Sequence, residues 1–290
     1  MRPLHHPRAA RATAVLAASG AALVFAVGAS SHSASPAALP PVDHFKCYAA
    51  AQVAPFKYQA PAVRLDDQFG KAFHATQPVQ SLCNPVDKKI SVPGGVIDTP
   101  IQHPDLHLVC YGITSQPTTA PPPSINISIT NQFGTARLTL KRPARRLCVP
   151  SFKSLTPFND DLPVQVPGLD HYKCYDASYT LDASGAPIQK FKGIPAPGSI
   201  QLTDQFGPSA PTVVAPRTVC APTVKWVDPA GPSNKILFSA WHLVCFSIRE
   251  SDQVPERVFA ANQFGKQGLA PKAPAQSLCV PSNNKVIITG

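Results

Sequence analysis

The sequence predicts an all-β fold on three observations. Proline is abundant, with 34 in 290 residues, which disfavours helices and suits turns and edge strands. Apolar and polar residues alternate with period two in the clearest segments. A tight-turn signature, Asx-Gln-Phe-Gly, recurs four times. Hydrophobic residues make up 44% of the chain, enough for a core, while charged residues make up only 14%, well below the usual quarter.

Residues 1–29 read as a leader rather than as fold. Arg2, Arg8 and Arg11 precede an apolar run from about Ala12 to Val27, and Val27-Gly28-Ala29 supplies small residues for signal-peptidase cleavage. Residues 30–41 are a Pro/Ala-rich disordered segment. Removing the leader takes away three arginines and no acids, so the net charge falls from +10 to +7. No later run is apolar enough to span a bilayer as a helix. Export implies an oxidising environment.

Three marks define a repeated segment. The first is His-x-x-Cys followed by an aromatic: His44 to Tyr48, His107 to Tyr111, His171 to Tyr175 and His242 to Phe246. The second is the turn, which contains Phe69-Gly70, Phe133-Gly134, Phe206-Gly207 and Phe264-Gly265. The third is Cys-x-Pro at Cys83, Cys148, Cys220 and Cys279, followed by Lys88, Lys153, Lys225 and Lys285. Segments one and three (A) carry Asp-His-aromatic-Lys-Cys and a turn Asp. Segments two and four (B) carry His-Leu-Val-Cys and a turn Asn. The A-B-A-B order predicts two tandem domains, each a pseudo-two-fold barrel or sandwich of two half-repeats: 42–153 and 168–288, joined by a linker over 154–167.

Each mark has a physical reading. The turn Asp or Asn accepts a bond from the N–H two residues on, and the glycine closes the hairpin in a left-handed conformation. Ile125, Ile127 and Ile129 alternate with polar residues before one turn, and Leu138 and Leu140 do so after it. The turn phenylalanines plug the core end. On a strand, Leu106, Leu108 and Cys110 share one face, and His107, Val109 and Tyr111 share the other. His and Cys three apart therefore point to opposite faces, which argues against joint metal ligation. Val109 and Val244 predict B strands buried on both faces; Lys46 and Lys173 predict A strands buried on one.

Eight cysteines in an exported chain predict four disulfides. Internal symmetry leaves two patterns. One stays within segments: Cys47–Cys83, Cys110–Cys148, Cys174–Cys220 and Cys245–Cys279. The other crosses within a domain, as Cys47–Cys148 with Cys83–Cys110. The within-segment pattern is favoured.

No catalytic, cofactor or metal signature emerges. There is no Gly-x-Ser-x-Gly elbow, no His-Glu-x-x-His and no phosphate-cradling glycine loop. The repeated histidines His44, His107, His171 and His242 read as hydrogen-bonded scaffold, because an active site rarely needs four copies. Nucleic-acid binding fits the charge but not the compartment.

The run His-Phe-Lys-Cys-Tyr (44–48), then Leu-x-Asp-Gln-Phe-Gly (65–70), then Leu-Cys-Asn-Pro-Val-Asp-Lys (82–88) resembles an uncharacterised family of exported bacterial proteins with these marks in tandem. The resemblance covers residues 43–285 and departs at Val219 and Phe246. It implies secretion and a β-rich fold, and no activity. Three functions follow as expectations. The first is a non-catalytic extracellular or envelope-associated binding protein whose partner is an anionic envelope polymer or another extracellular protein. The second is a structural spacer held by charge. The third is a secreted hydrolase of envelope polymers, whose site would use off-repeat residues such as Glu250, Glu256, His74 and His103.

Overall fold

The computed structural model describes residues 40–54, 61–115, 123–159, 166–226 and 234–288; the expected leader over 1–29, most of 30–41 and part of 154–167 lie outside them. In the first half the strands are β1 (Phe45–Val53), β2 (Ala62–Asp67), β3 (Gly70–Pro85), β4 (Asp87–Val92), β5 (Gly95–Thr99), β6 (His107–Ser115), β7 (Ile125–Asn131) and β8 (Gly134–Ser154). The second half supplies β9 (His171–Tyr179), β10 (Ile200–Asp204), β11 (Gly207–Ser209), β12 (Thr212–Trp226), β13 (His242–Arg249), β14 (Val258–Asn262) and β15 (Gly265–Ile288). The described residues contain no helix, and so none long and apolar enough to cross a membrane.

Each segment folds the same way. The His-x-x-Cys mark leads into one strand, and a hairpin then leads into a long strand that carries Cys-x-Pro. The cysteines of a segment face each other directly across adjacent strands, Cys47 with Cys83, Cys110 with Cys148, Cys174 with Cys220 and Cys245 with Cys279. All four within-segment disulfides form, and no cysteine is free. The four bridges are those of a protein folded in an oxidising environment.

The long strands join segment to segment. β1 pairs with β3, β3 with β6, β6 with β8, and β8 with β9. The chain of pairings continues through β12, β13 and β15 back to β1. Eight antiparallel strands therefore close into a ring that leaves none of them as a free edge. At each junction between segments the register steps by two residues: Ser81 faces Cys110, Arg146 faces Cys174, Thr218 faces Cys245 and Ser277 faces Cys47. A stagger of one sense at every junction is what closing a sheet requires.

The expected division at 154–167 is corrected by this pairing. β8 and β9 pair across the boundary, β15 returns to β1, and residues 39–290 form one compact unit. A six-stranded half would have exposed two hydrogen-bonding edges, and ring closure satisfies both.

The ring has two faces with different contents. Inside lie Phe45, Leu108, Tyr172, Leu243 and the eight cysteines. Outside lies the larger core, including Tyr48, Val109, Tyr111, Tyr175, Val244 and Phe246. Cysteine and histidine fall on opposite faces, as the strand period requires. The outer face is covered because each hairpin crosses to the segment two along. β2 pairs with the end of β12, β7 with the end of β15, and β14 with the end of β8. β10 pairs with β4, which with β5 and β11 forms a separate four-stranded sheet. The A strands, expected to be buried on one face, are buried on both: Lys46 is 1% exposed and Lys173 4%. Carboxylates brought in by other segments make that burial tolerable.

Candidate functional site

The four turns form as the sequence dictates. Asp67, Asn131, Asp204 and Asn262 each accept a bond from the N–H two residues on, at 2.8–3.0 Å. Gly70, Gly134, Gly207 and Gly265 all have φ between 99° and 129°, a region open to glycine. The turn phenylalanine then packs against the aromatic of the segment two along. The pairs are Phe69–Tyr175, Phe133–Phe246, Phe206–Tyr48 and Phe264–Tyr111, with ring centroids 5.0–5.2 Å apart. Phe69 and Phe133 are buried, and Phe206 and Phe264 are half-buried.

The turn glutamine reaches a third segment. Gln68 bonds His242, Gln205 bonds His107 and Gln263 bonds His171. Gln132 accepts from Lys88 Nζ, which also contacts His44. The lysines that follow Cys-x-Pro close three of these clusters over the ring of the incoming phenylalanine: Lys153 over Phe206, Lys225 over Phe264 and Lys285 over Phe69, 4.3–4.7 Å from the centroid. These three clusters thus join a histidine and a lysine of one segment to the glutamine and phenylalanine of the next, and the fourth joins His44 and Lys88 to Gln132.

Burial sets the charge state of these clusters. It pushes His107 and His171 down to about 3 and His242 to about 4, and the adjacent lysine adds to each shift. His44 is driven well below its ordinary value by burial and by Lys88. Burial also lowers Lys88 to about 6 and Lys225 to about 7, while the ring face beneath Lys225 acts against its shift.

A pH dependence follows. Between about pH 4 and 6.5 the unfolded chain protonates five imidazoles, the four repeat histidines and the buried His74, that stay neutral when folded. Between about pH 7 and 10 the same holds for Lys88 and Lys225. Stability therefore rises with pH through both windows. Asp67, Asp170 and Glu250, held up mainly by burial, oppose the histidines at the acid end. Above about pH 10 the trend reverses, because burial and neighbouring carboxylates keep Tyr48 and Tyr175 protonated only in the folded state. Thermal unfolding followed by circular dichroism is expected to give a midpoint on the order of 10 °C higher at pH 9 than at pH 5. A flat profile would contradict the buried, neutral clusters.

Two A-specific features are tethers. Asp43 accepts from the N–H groups of Gln102 and His103, and Asp170 from those of Leu237 and Phe238. Each ties down the chain entering the following B strand. Lys173 reaches Asp67 at 3.5 Å and the Gly70 carbonyl at 2.9 Å. Lys46 lies 3.3 Å from Glu250, 2.9 Å from Asp252 and 2.8 Å from Ser209 Oγ.

The off-repeat residues do not converge. Glu250 closes on Lys46 in the interior, whereas glycosidase carboxylates flank a cleft. Glu256 is exposed, and His103 contacts Asp43. His74 Nδ1 lies 3.2 Å from Ser115 Oγ, the spacing of a nucleophile and its base. Burial and Lys173 lower His74 to about 4, and among the described residues its Nε2 has no orienting partner. Among the described residues the pair lacks the third group that fixes a triad's tautomer.

Sequence reasoning missed the interior of the ring. All eight cysteines line one cavity of about 30 Å³, room for little more than a water, together with Leu108, Leu243, Ser81, Arg146, Thr218, Gln276 and Ser277. The sulfurs of Cys148, Cys174 and Cys220 lie within 4.8 Å of one another, but each is held in a disulfide and offers no thiolate. The available signal was the residue two before each Cys-x-Pro cysteine, which strand parity places on the cysteine face.

No family model, curated protein or solved structure matches the chain.

Proposed function

We propose that the chain is a secreted, non-catalytic binding protein of the cell envelope, a rigid four-segment frame that recognises an anionic polymer. The observation that carries this reading is that the repeated His, Lys, Gln and Phe residues are spent on one another in buried clusters between segments. Groups so committed hold a frame together and leave recognition to the residues that vary between segments. The leader supports export, the disulfides fit an oxidising environment, and a net charge of +7 after leader removal favours anionic partners. The tandem marks and their likeness to exported bacterial proteins support the same placement.

Retention of the leader-free protein on an immobilised phosphate-bearing cell-wall polymer tests this. Binding is expected at low salt and is expected to fall steeply towards about 0.5 M salt, where screening shortens the range of charge to a few ångströms. Equal retention on a neutral polysaccharide would sink the reading. Shortening of the polymer on prolonged incubation would put the hydrolase in its place.

A further inference from the structure

The inward face of the ring is built in tiers that repeat around the four segments. Lowest are the pairs Phe45/Pro85, Leu108/Pro150, Tyr172/Pro222 and Leu243/Pro281. The disulfides lie above them. The tier above the disulfides, at one mouth of the ring, holds Ala49/Ser81, Gly112/Arg146, Asp176/Thr218 and Ser247/Ser277. The two lower tiers are apolar or sulfur apart from the buried Tyr172 hydroxyl. The upper one is polar, and it is where the four segments cease to resemble one another.

Four equivalent positions in that tier, each two residues before a cysteine, are Ser81, Arg146, Thr218 and Ser277, and all four line the cavity. Three are hydroxyls and one is a guanidinium. Among the described residues the hydroxyls of Ser81 and Ser277 make no hydrogen bond to protein. Arg146 Nη2 reaches Thr218 Oγ1 at 3.5 Å and Asp176 Oδ1 at 3.8 Å, both long contacts. Arg146 and Asp176 are 34% and 47% exposed, so their attraction is screened and most of the guanidinium fork is left uncommitted. The residues one before this tier on the same strands are Gln80, Arg145, Arg217 and Gln276, all exposed. Lys141 faces Asp176 across β8 and β9, and Lys272 faces Ala49 across β15 and β1; both are exposed. Asp176 is the one acid in the tier.

We propose that this mouth binds a tetrahedral oxyanion, the phosphate or sulfate ester of an anionic polymer. Hydroxyls and a guanidinium arranged around an axis donate to several oxygens of one such group, and an arginine fork matches its geometry. The cavity beneath is too small for a whole ligand but takes a single oxygen. The surrounding cations draw the polymer in, and Asp176 limits the affinity. The site deepens the polymer-binding reading and rests on it for the source of the anion.

The test uses the leader-free protein with its four bridges verified by non-reducing mass spectrometry. Inorganic phosphate is titrated by 31P NMR, and retention on the phosphate-bearing polymer is measured alongside. Arg146→Gln is expected to weaken phosphate binding by roughly tenfold or more, the loss of charge-assisted bonds. Asp176→Asn is expected to tighten it. Lys89→Gln, which removes an equal charge from the exposed β4–β5 hairpin, is expected to leave it unchanged. Absence of phosphate binding, or equal effects of Arg146→Gln and Lys89→Gln, would overturn the site. If the polymer is retained equally by wild type and Arg146→Gln, polymer binding stands and the mouth is not its site. If phosphate binds through Arg146 while the polymer is not retained, the mouth is a small-anion site and the polymer reading fails.

Discussion

Replacing Cys47 and Cys83 together by alanine is expected to lower the unfolding free energy by roughly 4 kcal/mol, the chain-entropy value for a loop of this length. The bridge spans 36 residues and joins two strands of the closed ring. The midpoint should fall by roughly 8–16 °C at the usual conversion for a chain of this size. A sharper outcome attaches to single substitutions. Cys83→Ala frees the Cys47 thiol, whose sulfur lies 3.6 Å from Cys279. The thiolate then attacks Cys279, breaks Cys245–Cys279, forms Cys47–Cys279 and leaves Cys245 as the thiolate. Cys110→Ala frees Cys148, 3.6 Å from Cys174, and the same exchange follows there. Cys148→Ala instead frees Cys110, which has no such sulfur contact beyond its own bridge. Non-reducing peptide mapping should find rearranged bridges in the first two variants and a persistent free thiol in the third. Native bridges retained in all three would show that the interior does not allow attack.

The features legible in the sequence are those set within a segment. Strand parity separates cysteine from histidine, the turn residues specify their own hairpins, and the two cysteines of a segment face one another because one hairpin joins their strands. Contacts between segments were harder to read, and the A-B-A-B alternation misled because it looks like a boundary every two segments. The structure gives it another cause. A hairpins dock on A strands and B hairpins on B strands, two segments along. Asp67 meets Lys173 and Tyr175, whereas Asn262 meets Tyr111 and Ser151. An acidic turn goes with a lysine-bearing strand and a neutral turn with a valine-bearing one. The charge of the turn and the charge of the strand change together, and that pairing was the readable sign that the halves are interleaved. The mouth tier was not legible as a site, because its residues come from four strands whose order around the ring depends on closure.

Interleaving has an energetic signature that separate domains would lack. Phe133, at 1% exposure, lies in the first half of the chain but packs against Phe246 in the second, and Phe246 also meets Phe191 at 5.2 Å. The Phe133 carbonyl accepts from the Gly193 N–H at 2.9 Å, which anchors the turn to the same neighbourhood. Phe133→Ala is expected to cost roughly 3–5 kcal/mol, as for a fully enclosed ring. Phe206→Ala is expected to cost roughly half as much, since that ring is half-buried and has Lys153 on one face. A double-mutant cycle locates the contact. Phe133→Ala with Phe246→Ala should show a coupling of about 0.5–1.5 kcal/mol, the value of an edge-to-face pair. Phe133→Ala with Tyr111→Ala should be additive, because the Tyr111 ring packs against Phe264 rather than Phe133. In two independent domains the order would invert, since Tyr111 shares a half with Phe133 and Phe246 does not. Denaturant unfolding of the single and double variants therefore decides between an interleaved ring and a pair of tandem domains.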